Sequence, residues 1–396
     1  MSANLNETPS GERVHIGFFG VRNSGKSSLV NSVTGQNISV VSDVKGTTTD
    51  PVKKAMELLP LGPVMIIDTA GYDDTDEKLG ALRIQKTREI LNQCDIAVLV
   101  KAAGRDLNEY EQELIKLFDT RPFLIVNNKS DLLDEIKTPE SNNEIYVSAL
   151  TGHNIQELKN KLASLLKNQT NERKIVADLL SPCDLVILVV PVDKAAPKGR
   201  LILPQQQTIR EILDNHCYAL VCQNTELENI LKTVTPKIVI TDSQVFKQVD
   251  EIVPEKILLT SFSILFARYK GDLNLLIDGA KKLSSLNNSS NVLISEGCTH
   301  HRQCGDIGTQ KIPALIKRFT GSTPRFSFTS GGEFPNDLRD YDLVIHCGGC
   351  MLNQQEMTSR LERIKNSNVP VVNYGIAIAH MNGILKRCLK PFKIEL

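Results

Sequence analysis

Gly20-Val21-Arg22-Asn23-Ser24-Gly25-Lys26-Ser27 is the stretch whose reading decides the fold. It follows the apolar run His15-Ile16-Gly17-Phe18-Phe19 and opens a helical pattern from Ser27, the strand-loop-helix context in which G-x-x-x-x-G-K-[ST] grips phosphate. Its glycines let backbone N–H groups close around phosphate oxygens, Lys26 reaches the β and γ oxygens, and the Ser27 hydroxyl can ligate Mg²⁺. Gly20, Asn23, Ser24, Gly25, Lys26, Ser27 and Ser28 are therefore candidate nucleotide-binding residues. By itself the loop says only that a nucleoside triphosphate binds.

Outward from the loop, short β-branched runs alternate with helical patterns. VMIID, IAVLV, FLIVNN and IYVSA read as strands, and helices are expected near 79–91, over 108–117 and over the run NIQELKNKLASLL. Such alternation makes βαβ units and a parallel sheet. After the polar linker KNQTNERK the alternation restarts with DLVILVV, CYALV, KIVIT and KILLT, this time without a phosphate loop. A third stretch carries NVLIS, RFSFT, DLVIH and PVVNY. The fold class is α/β: three consecutive α/β domains with mainly parallel sheets, at residues 1–170, 171–265 and 266–396. A length of 396 residues agrees with two to four domains.

Three further elements sharpen the nucleotide. Asp68-Thr69-Ala70-Gly71 ends the strand VMIID, where the carboxylate can hold the magnesium water shell and the Gly71 amide can meet a γ-phosphate. Asn128-Lys129-Ser130-Asp131 resembles the guanine-reading NKxD motif of the GTPase superfamily. In it Asp131 accepts from the N1–H and exocyclic amine of guanine, while Asn128 and Lys129 brace loop and base. Ser148-Ala149-Leu150 resembles the loop that backs the guanine O6. The first domain is thus expected to be a P-loop GTPase fold that binds GTP.

Within that superfamily the first domain is similar to the tRNA-modification (TrmE/Era-like) branch. Gly46-Thr47-Thr48-Thr49-Asp50 resembles its GTTRD switch, with Thr49 where the branch has Arg, and the resemblance makes Thr48 a magnesium and γ-phosphate ligand. Asn23 matches the asparagine that holds K⁺ in potassium-dependent members, where a monovalent cation takes the place of an arginine finger. No glutamine follows Asp68-Thr69-Ala70-Gly71; aligning Glu77-Lys78-Leu79-Gly80 with the branch's E-R-I-G pattern makes Glu77 the candidate that orients water. Lys26, Thr48, Gly71 and Glu77 form the expected catalytic set of a slow GTPase that serves as a switch.

The net charge is zero, with 46 basic and 46 acidic residues, but residues 1–150 hold 22 acidic against 16 basic side chains. Neither half is basic enough to announce nucleic-acid binding, no stretch has the ~20 apolar residues of a membrane span, and the polar start resembles no signal peptide. A cytoplasmic protein is expected. Its nine cysteines then serve metal binding, catalysis or packing rather than disulfides. Cys94, Cys183, Cys217, Cys222 and Cys388 read as small buried hydrophobes.

Cys298-Thr299-His300 follows the strand NVLIS, and His346-Cys347-Gly348-Gly349-Cys350 follows DLVIH. Residues just past strand C-termini of a parallel sheet converge on its crevice. Three cysteines can meet there, with His300 or His346 as a fourth ligand, Glu296 or Asp193 as substitutes, and Cys304 as a neighbour. Spacing leaves zinc and an iron–sulfur cluster both open. Arg302, Lys311 and Arg318 would bias the surroundings positive.

Nearly the whole chain resembles the HydF family of FeFe-hydrogenase maturation GTPases, on the GTPase motifs followed by C-x-H and H-C-x-x-C. The resemblance implies a 4Fe-4S cluster on Cys298, Cys347 and Cys350, a homodimer or higher oligomer formed through the middle domain, and a scaffold or carrier role. The cargo would be a diiron subcluster precursor built with two radical-SAM maturases and passed to apo FeFe-hydrogenase. The alternative reading is a tRNA-modification or ribosome-associated GTPase with a zinc-binding C-terminal module.

Overall fold

A computed structural model describes residues 8–36, 51–69, 80–118, 121–135, 138–167, 173–191, 201–297 and 306–396. The chain divides into two compact units, Met1–Asn171 and Glu172–Leu396.

The first unit is built on strands β1 (Val14–Phe19), β2 (Val52–Leu58), β3 (Gly62–Asp68), β4 (Ile96–Ala102), β5 (Phe123–Asn128) and β6 (Glu144–Tyr146). Their order is β2-β3-β1-β4-β5-β6, and every pairing is parallel except β2 with β3. β1 is central, so Ile16, Phe18 and Phe19 lose all exposure, each contributing about 1.5–3 kcal/mol of apolar burial. The edge strand β2 was not expected from sequence. Lys53, Lys54 and Glu57 leave it largely exposed, as suits an edge where charge discourages further pairing.

In the second unit, β7 (Leu185–Val189), β8 (Tyr218–Cys222), β9 (Ile238–Thr241) and β10 (Leu258–Ser261) form an all-parallel sheet in the order β10-β9-β7-β8. A second parallel sheet, in the order β12-β11-β13-β14, comprises β11 (Asn291–Glu296), β12 (Arg325–Ser330), β13 (Leu343–His346) and β14 (Val371–Asn373). The mainly parallel α/β class is thus as expected. The two sheets share one core, in which Ile187, Val239 and Leu259 join the same cluster as Val292, Ile294, Val344 and Val371. The helix Phe262–Lys270, capped at Ser261 by a hydrogen bond from the Ile264 amide, runs directly out of β10. The expected boundary at residues 265 and 266 lies inside this helix.

Cys94, Cys217 and Cys388 are buried as expected, whereas Cys222 is half-buried and Cys183 is exposed. Cys183 sits in the turn before β7 with φ 69° and gives its amide to the His216 carbonyl. A turn held by backbone hydrogen bonds gives its side chain no core to enter.

Candidate functional site

In the first unit strand order reverses at β1, which has β3 on one side and β4 on the other. That is the crevice where ligands of open α/β sheets bind. The loop 20–25 occupies it, leading into the helix Lys26–Thr34. Asn23 has φ 60° and Gly25 has φ 81°. At Gly25 a Cβ would stand 2.3 Å from the Asn128 Nδ2, so glycine is demanded by both backbone and space.

Register sets Asp68 beside Phe18, at the end of β3 nearest the loop. The Ser27 hydroxyl donates to Asp68 Oδ2 at 3.0 Å, and the Lys26 ammonium stands 4.0 Å from Asp68 Oδ1. Lys26, Asp68 and Ser24 are all buried. Desolvation holds the Lys26 pKa below the ordinary lysine range, with Asp68 pulling the other way. Asp68 Oδ1 and Ser24 Oγ have no hydrogen-bond partner among the described residues. A buried cation, a buried carboxylate and two orphaned oxygens fit a phosphate and a magnesium ion. Ser28 is half-buried in the first turn of the helix.

Asn128 ties the two halves of the site together. Its Nδ2 donates to the Ser24 and Gly25 carbonyls, each at 3.2 Å, and its Oδ1 accepts from the Ala149 amide at 3.0 Å. Lys129, at φ 63°, donates to the Asn23 carbonyl at 2.8 Å. The Ser148 hydroxyl hydrogen-bonds Asp131 Oδ1, and the Thr151 amide donates to Ser148 Oγ at 3.1 Å. Asp131 itself is exposed, so its carboxylate is oriented yet accessible. Gly20, Asn23, Ser24, Gly25, Lys26, Ser27, Asp68, Asn128, Lys129, Asp131, Ser148 and Ala149 are thus brought into one locality. Thr48, Gly71 and Glu77 lie outside the described residues.

The C-terminal sheet repeats the topological device. From β11 the chain goes to β12 on one side and then to β13 on the other, so its switch point lies between the ends of β11 and β13. There the Gly297 amide donates to Cys347 Sγ at 3.0 Å, and the Gly349 amide points at the same sulfur at 3.4 Å. Gly349 has φ 60°. A sulfur receiving amide hydrogen bonds suits a thiolate that ligates a metal or a cluster. Burial and then Cys347 push the Cys350 thiol up, while Lys270 pulls it down. Cys298, His300 and Cys304 lie outside the described residues, as do Asp193 and Arg302. Among the described residues no three His, Cys, Asp or Glu side chains converge to hold a metal.

His346 does not offer a free nitrogen. It is fully buried, and its Nδ1 lies 2.8 Å from the Cys347 carbonyl, which can only accept, so Nδ1 carries the proton. Nε2 then accepts from Arg360 Nη1 at 3.3 Å. Arg360 is held in turn by the Gly331 carbonyl at 2.6 Å and Glu356 Oε1 at 2.8 Å, with its guanidinium over the Phe334 ring. In this geometry both ring nitrogens of His346 are engaged, Nδ1 with the Cys347 carbonyl and Nε2 with Arg360. Glu296 instead lies beside the Tyr374 hydroxyl, at 3.4 Å. Desolvation, Cys347 and Glu296, in that order, push the Tyr374 phenol far up. Sequence reasoning missed Arg360, Tyr374 and the Gly297 amide. The i, i+4 pair Glu356 and Arg360 was the one signal that could have pointed there, and it reads as an ordinary surface ion pair. Lys311 donates to Gln244 Oε1 at 2.9 Å, and Arg318 is exposed.

Known proteins resemble the chain in three separate stretches. Residues 15–129 match the family described as 50S ribosome-binding GTPase. The tRNA modification GTPase MnmE of Clostridioides difficile is 35% identical over 153 residues, covering 37% of this chain. The Bordetella petrii MnmE is 32% identical over 155 residues, covering 39% of the chain. The matches span about a third of each relative's length, 33% and 34%. Among solved structures, Aquifex aeolicus Era bound to GDP and AlF4⁻ is 20% identical, covers 52% of this chain and 91% of Era, and has a TM-score of 0.34. The G domain of the T. maritima FeoB iron transporter is 20% identical, covers 39% of this chain and 99% of that domain, with a TM-score of 0.29. The N-terminal unit is a P-loop GTPase domain.

C-terminal to that domain the matches are more specific. Residues 175–271 match the hydrogen maturase F dimerization domain, and residues 274–391 match the hydrogen maturase F tetramerization domain. The chain belongs to the hydrogen maturase F (HydF) family.

Proposed function

We propose that the protein is a GTP-hydrolysing scaffold and carrier in FeFe-hydrogenase maturation. It would hold a 4Fe-4S cluster on Cys298, Cys347 and Cys350 and pass a diiron subcluster precursor to the apo-hydrogenase, receiving it through two radical-SAM maturases. The observation that carries this reading is the 3.0 Å hydrogen bond from the Gly297 amide to Cys347 Sγ. It joins the residue next to Cys298 to the first cysteine of the C-x-x-C pair, at the switch point of a parallel sheet. The matched dimerization and tetramerization domains support a homodimer or higher assembly. A cytoplasmic site of action is part of the proposal; no helix of the described residues is long and apolar enough to cross a membrane.

In the GTPase domain, Lys26 would neutralise the β and γ phosphates and Ser27 with Thr48 would hold Mg²⁺. Asn23 would hold K⁺, and Glu77 would orient the attacking water. Bound iron and sulfide would supply a labile coordination site for the anionic precursor; the chain's own part is to present thiolates and amide donors. The alternative, a tRNA-modification or ribosome-associated GTPase with a zinc module, draws on relatives aligned to only 37% and 39% of this chain. Anaerobic reconstitution with iron and sulfide tests the choice. The proposal expects brown protein with thiolate-to-iron charge-transfer absorption, lost in Cys298→Ala; stoichiometric zinc without iron would defeat it.

A further inference from the structure

We propose that Lys270 is a positioning residue of the Cys347–Cys350 loop, gathering that loop's carbonyls and setting a fixed positive charge behind its thiols. The electrostatic half of this inference rests on the metal-centre reading above; the mechanical half stands on geometry alone. Lys270 ends the helix Phe262–Lys270 and is 3% exposed. Its Nζ donates to the carbonyls of Gly349 at 3.1 Å, Cys350 at 3.2 Å and Leu352 at 2.7 Å. An ammonium has three donors and no acceptor, so one side chain can converge three carbonyls of an irregular loop.

The direction of those carbonyls matters for the sulfurs. Gly349 gives its oxygen to Lys270 and turns its N–H toward Cys347 Sγ at 3.4 Å. The two groups lie in adjacent peptide units joined at the Gly349 Cα, so pinning the carbonyl unit limits the swing of the backbone that carries the amide. The clamp also comes from a different sheet than the cysteines, because its helix leaves β10 and is held at its first turn by Asn373 Nδ2 donating to the Ser263 carbonyl at 2.9 Å. A buried ammonium is costly to desolvate and is tolerated where acceptors take its hydrogens, as the three loop carbonyls do here. Near an anionic cluster its charge favours the more reduced, more negative state and raises the reduction potential.

Full-length Lys270→Met and Lys270→Arg, compared with the unaltered protein, test both halves. Without metal, hydrogen–deuterium exchange at amides 347–353 is expected to accelerate at least tenfold in Lys270→Met, while β13 and β14 keep their protection. Unchanged exchange in the loop, or acceleration spread over all of Glu172–Leu396, would overturn the clamp. After iron–sulfur reconstitution, Lys270→Met is expected to lower the midpoint potential, a tenfold change in the one-electron equilibrium reading as 59 mV. Lys270→Arg keeps the charge without the compact ammonium, so it should loosen the loop yet hold the potential. An unaltered potential in Lys270→Met would overturn the electrostatic half. If the unaltered protein takes up no iron, the metal-centre reading fails, and the exchange result still decides the clamp.

Discussion

Replacing Asn128 by alanine should disable nucleotide binding without touching a phosphate-binding side chain. Asn128 is 1% exposed and makes three hydrogen bonds, to the Ser24 and Gly25 carbonyls and from the Ala149 amide. At a net value of about 1 kcal/mol each, their loss removes roughly 3 kcal/mol of preorganisation. If the loop must be re-ordered when nucleotide enters, that energy appears in the dissociation constant as roughly 150-fold weaker binding. Asn128→Asp is the sharper variant. It keeps an acceptor for Ala149 but sets an oxygen against two carbonyls, so it should bind at least as weakly as Asn128→Ala. Titration with a fluorescent GDP analogue measures both, with far-UV circular dichroism confirming that the domain is folded. Folded variants that bind within about threefold of the unaltered protein would refute the idea that Asn128 joins the phosphate and base loops.

Two single side chains carry further expectations. If Asn23 holds a monovalent cation, GTP turnover should be faster in K⁺ than in Na⁺, and Asn23→Ala should erase the difference; equal rates in both salts contradict it. The half-buried Cys222 thiol is pushed up to about 11, by burial first and Glu226 second. Only the thiolate reacts, so its alkylation rate, followed by mass spectrometry, should climb roughly tenfold per pH unit from pH 7 to about 10. A plateau by about pH 9, where an ordinary thiol is largely ionised, would contradict it.

Most of the strands were legible because parallel strands buried on both faces are written as uninterrupted β-branched runs, as in DLVILVV and DLVIH. β2 was not, because Lys53, Lys54 and Glu57 on an exposed edge carry no apolar period. The phosphate loop was legible because its backbone demands glycine at fixed spacing. The ties that assemble it were not: Lys129 reaches Asn23 and Asn128 reaches Ser24 across more than a hundred residues of chain. At the cysteine site, motif spacing found Cys347 and Cys350 but could not tell that His346 spends Nδ1 on the Cys347 carbonyl and Nε2 on Arg360. Lys270 belongs to another sheet's helix and leaves no local trace near the cysteines at all.

The carrier account is tested most directly by activation of apo FeFe-hydrogenase in vitro. Protein loaded with cluster and precursor should switch on hydrogen evolution, and Cys298→Ala, Cys347→Ala and Cys350→Ala variants prepared in the same way should leave the hydrogenase inactive. Activation by the cysteine variants equal to that by the unaltered protein would contradict the account.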